Sequence, residues 1–227
     1  MKKLILPLAV ILLQFAAFAQ SNRIIRAKAG DDLAQVYSPN GFYKFSQFVD
    51  ATLYLKTGRH ATGILFNYNM FSGTMQFIDA KHDTLDMSNP ADIDSMVLAG
   101  KRFVFNDGYL ELVGQSDSVQ LYTKLTLKIN MENIGAYGMP NSTGSIQNVN
   151  TYSAGSAVYH LVLNQDVVLD EKVTLFFSNG RIFLKATKSN LLKLLPPSRQ
   201  GKASEWIREH HTNFEREEDL LALLRTL

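Results

Sequence analysis

The sequence predicts a mainly β protein: an antiparallel β-meander domain followed by a C-terminal segment of about three short helices, an α+β fold. Three observations lead to this prediction. Apolar and polar residues alternate with a period of two through much of the chain. Asp107-Gly108 and Asn179-Gly180 each stand between two apolar runs, where a tight hairpin turn belongs. After Ala186 the apolar period changes from two to about 3.6.

The segment from residue 50 to residue 113 has the pattern of short strands separated by turns. Leu53 and Leu55 alternate with polar neighbours, and the turn-rich stretches 57–60 and 69–73 bound the next run. Such alternation places one face of an antiparallel sheet on a core and the other toward water. The cluster Asn89-Pro90-Ala91-Asp92 then interrupts the series.

A hairpin is expected across Asp107-Gly108, with Phe103 and Phe105 facing Leu110 and Leu112. These four apolar side chains would then lie on the core face of the sheet.

A long amphipathic strand is expected from Val119 to Ile129, because its odd positions are mostly apolar while its even positions include glutamine and lysine. The sheet is expected to resume at 158–163. It should end in a second hairpin, in which 173–177 pairs with 182–186.

The helical segment is predicted in three pieces. Thr187 is expected to cap the first helix, which Pro196-Pro197 must end. Ser198 is placed to cap a second helix that carries Trp206. A third helix should run from about Arg216 to Leu224, and its stripe of leucines must bury against the sheet or against the second helix.

Residues 1–19 have the three parts of an export signal. Lys2 and Lys3 precede the apolar run Leu4–Leu13, and Ala17 and Ala19 form an A-x-A cleavage site ahead of Gln20. The apolar run is too short for a membrane-spanning helix, which needs about 20 apolar residues. The sequence therefore predicts an exported chain with no transmembrane anchor after cleavage.

The composition limits the expected cellular location and the expected classes of binding partner. The chain has no cysteine, so the mature protein should be neither a lipoprotein nor held by disulfides. The leader holds two of the 23 basic residues and no acid, which leaves 21 basic against 21 acidic side chains. Nucleic acids are bound through excess positive charge, and this balance therefore argues against a nucleic-acid partner.

The long segment 132–156 is rich in Gly, Ser, Asn and Thr, which predicts a flexible insertion between strands. Its Tyr137 and Tyr152 are candidate ligand or partner contacts, because exposed rings on loops often recognise sugars or peptides. The predicted organisation is a signal peptide at 1–19, a β domain at 20–186 containing this insertion, and a helical tail docked on that domain at 187–227.

No run of residues matches a catalytic, metal-binding or nucleotide-binding pattern, and the sequence predicts no cofactor. His210 and His211 are adjacent, so on a helix they point about 100° apart and cannot share one metal ion. Asp92-Ile93-Asp94 lacks the later glycine and glutamate of a calcium loop. Ser116 lacks the second glycine of a nucleophile elbow.

Aromatic residues leave two alternatives open. Four aromatic residues lie close together in the sequence before the meander: Phe42, Tyr43, Phe45 and Phe48. They can form part of the hydrophobic core or an exposed site for a sugar or a peptide.

Five motifs and one further residue stand out along the mature chain: Leu53-Tyr54-Leu55-Lys56-Thr57-Gly58, Gly63-Ile64-Leu65-Phe66-Asn67-Tyr68, Ile134-Gly135-Ala136-Tyr137-Gly138, Leu194-Leu195-Pro196, Phe214 and Glu218-Asp219-Leu220. On these, the chain resembles uncharacterised exported β-rich proteins that are common in Bacteroidetes, and the resemblance covers most of the mature chain. It implies a bacterial envelope address and no particular activity, because no function is assigned to such proteins.

Together these observations favour an exported, non-enzymatic binding or structural domain of the cell envelope, in the periplasm or at the surface, with an unknown protein or glycan partner. The alternative is a hydrolase whose acidic residues are dispersed over the sheet, since glycosidases need only two carboxylates placed by the fold. An enzyme should gather such a pair in one cleft, whereas a binding module should not.

Export predicts a cut between Ala19 and Gln20, because signal peptidase recognises small residues at the positions of Ala17 and Ala19. Intact-mass measurement of the protein purified from an envelope fraction should match residues 20–227. A full-length chain recovered from the cytoplasm would contradict the prediction.

Overall fold

The computed structural model describes residues 23–131, 133–134, 140–141 and 166–227. The predicted leader with its cleavage site, the predicted strand 158–163 and most of the segment 132–156 lie outside the described residues. The fold is mainly antiparallel β, with 45% of the described residues in strands and 21% in helices including one 3-10 turn, which confirms the predicted class. The described strands are β1 Arg23–Ala27, β2 Val49–Leu55, β3 His60–Asn69, β4 Thr74–Ile78, β5 Thr84–Asp86, β6 Ile93–Leu98, β7 Lys101–Phe105, β8 Tyr109–Gln115, β9 Gln120–Met131, β10 Asn133–Ile134, β11 Pro140–Asn141, β12 Val167–Ser178 and β13 Phe183–Lys185.

Four short helices accompany the described strands. The first lies near the N-terminus and the other three form the tail. They are α1 Leu33–Tyr37, α2 Lys188–Leu194, α3 Pro197–Glu209 and α4 Glu217–Leu224, and a 3-10 turn spans Pro90–Asp92. In the described part of the chain, no helix combines the length and the apolar character needed to cross a membrane.

Eleven of the described strands form one open antiparallel sheet. Its order is β1-β12-β9-β8-β7-β6-β2-β3-β4-β5, and β13 pairs with the end of β12 that β1 leaves free. Most neighbours follow one another in the chain, as in the predicted meander. The pairing of β6 with β2 and the return of β12 beside β1 and β9 are longer-range. The short strands β10 and β11 form a separate pair.

Most buried apolar side chains lie on one face of the sheet, called here the inner face. The register sets this face: Phe103 lies opposite Glu111, Glu111 opposite Thr123, and Thr123 opposite Leu175. Residues two apart along a strand share a face, so the inner face extends from each of these positions. Phe103 and Leu175 are 2% and 4% exposed.

The sheet curls around its inner face. Met70 and Phe71, which follow β3, pack in one cluster with Ile129 of β9 and Val167 of β12, although four strands separate β3 from β9 in the sheet. Phe42 fills the space between, with its ring centroid 4.5 Å from that of Phe71. The curl brings strands that are distant in the sheet to opposite walls of one interior.

The tail helices cover the inner face at β9 and β12. Leucines from α2 and α4 and Ile207 of α3 are buried in one cluster with Leu121, Leu175 and Phe177 of the sheet. The predicted cap at Thr187 is confirmed, because its Oγ1 accepts a hydrogen bond from the Asn190 backbone N–H at 3.2 Å. The tail is therefore packed into the core of the sheet.

The predicted cap at Ser198 is wrong. α3 begins at Pro197, with Pro196 at the N-cap position, and Ser198 lies inside the first turn. A proline suits the first helical position because its ring fixes φ and it has no N–H to leave unsatisfied. The pair Pro196-Pro197 thus ends one helix and begins the next.

Gly114 of β8 leaves the space that α4 occupies. A Cβ at this position would lie 2.3 Å from Cδ2 of Leu221, well inside van der Waals contact. Gly114→Ala should therefore lower the free energy of unfolding by about 1–3 kcal/mol, the usual cost of overpacking a core. Urea denaturation followed by the fluorescence of Trp206 measures the change.

Two further variants test the cause. Leu221→Ala added to Gly114→Ala should recover part of the loss, because it removes the clashing methyl group. Gly201→Ala is the matched control, since a Cβ there meets nothing within 4 Å and alanine favours the helix α3. A wild-type urea midpoint for Gly114→Ala would show that α4 does not pack against β8 in this way.

Candidate functional site

A cleft of about 280 Å³ opens on the inner face at the centre of the sheet. Side chains of β3, β7, β8, β9 and β12 line it, and α4 adds Glu217. Its apolar lining comes from Met70, Phe103, Val113, Leu125 and Val173. The other seven lining residues carry polar or charged groups: Lys44, Tyr68, Lys101, Tyr109, Glu111, Thr123 and Glu217.

Glu111 of β8 lies in this cleft and is 8% exposed. Lys101 Nζ donates a hydrogen bond to Glu111 Oε1 at 2.6 Å, and Lys44 Nζ donates to Glu111 Oε2. Burial alone would raise the pKa of Glu111, but hydrogen bonds and charge from the two lysines hold the pKa of this carboxyl below its ordinary 4.5. The three side chains therefore form an ionised group with one net positive charge at neutral pH.

The turn of the β7–β8 hairpin puts Glu111 on the inner face. Phe105 pairs with Tyr109, so three residues, 106–108, connect the strands, and Asp107 and Gly108 both have positive φ. The predicted hairpin is present, but the expected pairing of Phe103 and Phe105 with Leu110 and Leu112 is wrong. A two-residue turn would give that pairing, whereas one more turn residue shifts the register by one and exchanges the faces.

Lys44 comes from an irregular segment that runs beside the end of β3. Its backbone N–H donates to the Tyr68 carbonyl at 3.0 Å. The side chain of Asn67, 1% exposed, fixes the next residues: its Oδ1 accepts from Phe45 N at 3.1 Å, and its Nδ2 donates to Phe45 O at 2.9 Å and Gln47 O at 3.1 Å. A buried amide with these partners holds the segment in one conformation.

Three rings, those of Tyr68, Phe103 and Tyr109, form the aromatic part of the cleft. The ring centroid of Tyr68 lies 6.1 Å from that of Phe103 and 6.0 Å from that of Tyr109. Lys44 Nζ lies 5.9 Å from the Phe103 centroid, within the range of a cation–π contact.

Burial raises the pKa of Tyr68 to about 12, so its phenol stays protonated and is a hydrogen-bond donor. The Tyr109 hydroxyl donates only to the weak acceptor Met87 Sδ, at 3.4 Å. Among the described residues the Tyr68 hydroxyl makes no hydrogen bond, although the side chain is only 5% exposed. This hydroxyl is not among the fully buried polar atoms that lack a partner, so it remains open to water.

A partly buried carboxylate on the inner face, Glu171, has a structural role. Glu171 Oε2 accepts a hydrogen bond from the Tyr37 hydroxyl at 2.7 Å and lies 3.7 Å from an Arg23 guanidinium nitrogen. Arg23 also donates to the Tyr37 carbonyl at 2.7 Å. These contacts tie α1 to β1 and β12.

The candidate contacts Tyr137 and Tyr152 lie outside the described residues.

His210 does not approach a cluster of possible metal ligands. Its ring stacks on that of Trp206, with ring centroids 3.6 Å apart and ring planes at 12°. Among the described residues, no three His, Cys, Asp or Glu side chains are grouped to hold a metal ion. Ser116 lies in a polar turn, where its Oγ accepts from Val119 N at 3.2 Å.

In the Phe42–Phe48 group, Phe42 is core, at 4% exposure. The rings of Tyr43 and Phe48 pack against each other with centroids 5.3 Å apart. Lys44 in the same stretch was not predicted as a site residue from the sequence, and neither were Lys101 and Glu111. A signal was present in Tyr109-Leu110-Glu111-Leu112-Val113, where either alternate set of residues can be read as the buried one.

Comparison with known proteins found nothing similar: no family model matches the chain, and no curated protein or solved structure matches it either. The residues of the cleft are therefore the basis for a functional proposal.

The paired carboxylate makes stability depend on pH. The pKa of Glu111 is lower in the folded state than in the unfolded chain. The contribution of the ionised carboxylate to the free energy of unfolding is therefore fully present above about pH 4.5, and it is lost as the pH falls through the folded-state pKa. Glu111→Gln should lower the free energy of unfolding by about 1–3 kcal/mol at neutral pH, because it leaves both lysines without their counter-charge. The variant should also lose less stability than wild type between about pH 6 and pH 3.

Urea midpoints across this pH range measure both effects. Glu205→Gln, an exposed glutamate on α3, is the control and should follow the wild-type curve. Equal pH dependence for Glu111→Gln and wild type would show that the carboxylate is not held by the lysines.

Proposed function

We propose that this chain is an exported, non-enzymatic binding module of the bacterial cell envelope, in which the curled sheet is the scaffold and the inner-face cleft is the ligand site. Export rests on the leader at residues 1–19 and on the resemblance of the chain to exported proteins.

One observation carries the proposal. The cleft holds charged and hydrogen-bonding side chains in fixed positions, with apolar side chains between them. Lys44, Lys101 and Glu111 are fixed by one another, and Tyr68 is fixed by burial among other rings. A largely apolar pocket with a few polar groups in fixed places is typical of small-molecule sites.

The charge state of the cleft favours binding over hydrolysis. A general acid needs a raised pKa, whereas the two lysines lower the pKa of Glu111. The second carboxylate that lines the cleft is Glu217, at the start of α4, so the case against hydrolysis rests on the lowered pKa of Glu111. Glu171, the partly buried carboxylate described above, lies four residues along β12 and two strands across from Glu111. At ~3.4 Å per residue and ~4.8 Å per strand the two are on the order of 15 Å apart, beyond the separation of a glycosidase pair.

Filling the cleft tests the proposal. Thr123 lies on the inner face of β9 and lines the cleft, so Thr123→Phe should occupy the ligand space. Wild-type protein would be incubated with an extract of the host envelope and washed, and the small molecules released on denaturation would be identified by mass spectrometry. We expect to find a component that the wild-type protein retains. Thr123→Phe should retain at least about tenfold less of it, which corresponds to a loss of ~1.4 kcal/mol in binding free energy.

Thr126→Phe is the matched control, because it makes the same change three residues along β9 on the opposite face of the sheet. It should retain the component as wild type does. Equal retention by Thr123→Phe would overturn the cleft as the binding site. Wild-type turnover of an extract component that Glu111→Gln abolishes would favour the hydrolase alternative instead.

A further inference from the structure

We propose that the sheet binds a neutral glycan on the face opposite the inner face, called here the outer face, where β3, β4 and β5 carry a network of polar side chains beside two aromatic rings. This surface is separate from the cleft, so the inference goes beyond the proposed function. It is carried by three observations: an ordered polar network, an open carboxylate oxygen, and the adjacent rings.

The strand register places the network on the outer face. Tyr68 of β3 lines the cleft, so its neighbours Asn67 and Asn69 lie on the other side of the sheet. Across the strands, Asn67 lies opposite Gln76, and Gln76 lies opposite Asp86. The polar network consists of six side chains: Tyr43, Asn69, Ser72, Thr74, Gln76 and Asp86.

Hydrogen bonds fix the side chains of the network. Gln76 Oε1 accepts from the Tyr43 hydroxyl at 2.8 Å and from Asn69 Nδ2 at 3.3 Å. Gln76 Nε2 donates to Asp86 Oδ1 at 2.7 Å, and Thr74 Oγ1 donates to the same oxygen at 3.3 Å. Asn69 and Gln76 are 3% and 8% exposed. Buried amides with such partners hold the network in one arrangement, which lowers the cost of binding a ligand.

Asp86 leaves one acceptor open to a ligand. Both of its described hydrogen bonds go to Oδ1. Its Oδ2 is not among the fully buried polar atoms that lack a partner, so this oxygen is open to water. The hydroxyls of Ser72 and Thr74 lie 2.6 Å apart next to this carboxylate, and their oxygens can also accept. A ligand with several neighbouring hydroxyl groups can donate to these acceptors together.

Two rings extend the network with apolar surface. The Tyr43 hydroxyl belongs to the network, and its ring packs on that of Phe48 with centroids 5.3 Å apart. Both side chains are half-buried, which leaves part of each ring accessible. Apolar surface beside fixed polar groups suits a sugar, whose ring has a C–H face bordered by hydroxyls.

The charge of the network favours a neutral sugar. Of its six side chains, only that of Asp86 is ionised at neutral pH. An acidic glycan would place a like charge near this carboxylate, which is unfavourable. A neutral glycan meets the same groups through hydrogen bonds alone.

Affinity electrophoresis tests the inference. Native gels of the mature protein would each contain one soluble polysaccharide: a β-glucan, an arabinoxylan, a galactomannan or an α-mannan as neutral polymers, and polygalacturonate or alginate as acidic ones. We expect at least one neutral polymer to slow the protein and neither acidic polymer to do so.

Two substitutions assign the binding to the network. Asp86→Ala removes the open acceptor and should weaken binding by about tenfold or more, because hydrogen bonds to charged groups are the stronger ones. Phe48→Leu keeps an apolar side chain without the ring and should weaken binding by about threefold or more. Asp83→Ala is the matched control, because it removes the same charge from the exposed turn before β5, and it should bind as wild type does. Urea midpoints show that each variant is folded, and Phe48→Leu decides the test if Asp86→Ala unfolds.

The outcomes separate this inference from the proposed function. No slowing by any neutral polymer, or wild-type binding by both Asp86→Ala and Phe48→Leu, would overturn the outer-face site. Stronger binding of polygalacturonate or of a hexalysine peptide than of every neutral polymer would overturn the neutral glycan. Thr123→Phe fills the cleft on the inner face and should bind the polymer as wild type does, whereas a loss of binding in this variant would place the glycan in the cleft and overturn the inference.

Discussion

The register of the β7–β8 hairpin is the constraint on which the site depends. With three residues in the connection, Glu111 lies on the inner face beside Phe103 and Thr123, and a carboxylate so placed must be paired. Lys101 is available two residues before Phe103 on the adjacent strand. The second lysine comes from outside the sheet ladder, in a segment that the buried Asn67 amide holds in place. One additional turn residue thus leads, step by step, to a charged group in the middle of an otherwise apolar face.

This charged group also explains why the interior is not packed solid. Helices α2–α4 fill the inner face at one end, and α1 with Phe42 and Phe71 fills it at the other. Between these two clusters the lysines keep their charged ends toward the cleft while their stems pack on neighbours. Apolar residues of the same volume would often be as stable or more so, so stability alone does not account for an ionised triad in this position.

The sequence was sufficient for the fold class and for many of the elements, because those follow from local periodicity and turn chemistry, but it did not predict β1, α1 or β6. It predicted the long strand β9, a hairpin at Asn179-Gly180 and the leucine stripe of α4, all of which the structure contains. The expected pairing of 173–177 with 182–186 is wrong, because the hairpin pairs 176–178 with 183–185 in a register two positions away. The sequence also did not predict the pairing of β6 with β2, the place of β1 beside β12, or the curl that joins β3 to β9. Those contacts join residues far apart in the chain and leave no local signature. The site was missed for the related reason that the face to which Glu111 points depends on a single turn residue.

The position of α4 gives the C-terminus a share in the chemistry of the cleft. Glu217 and Leu221 are one helical turn apart, and the first lines the cleft while the second fills the space left by Gly114. A short helix moves as a unit, so a displacement at β8 is also a displacement at the cleft. If the cleft binds a ligand as proposed, its occupancy and the docking of α4 are thermodynamically linked, and by reciprocity whatever holds α4 in place also favours the occupied state. A contact made with α4 alone then shifts the occupancy of the cleft without entering it.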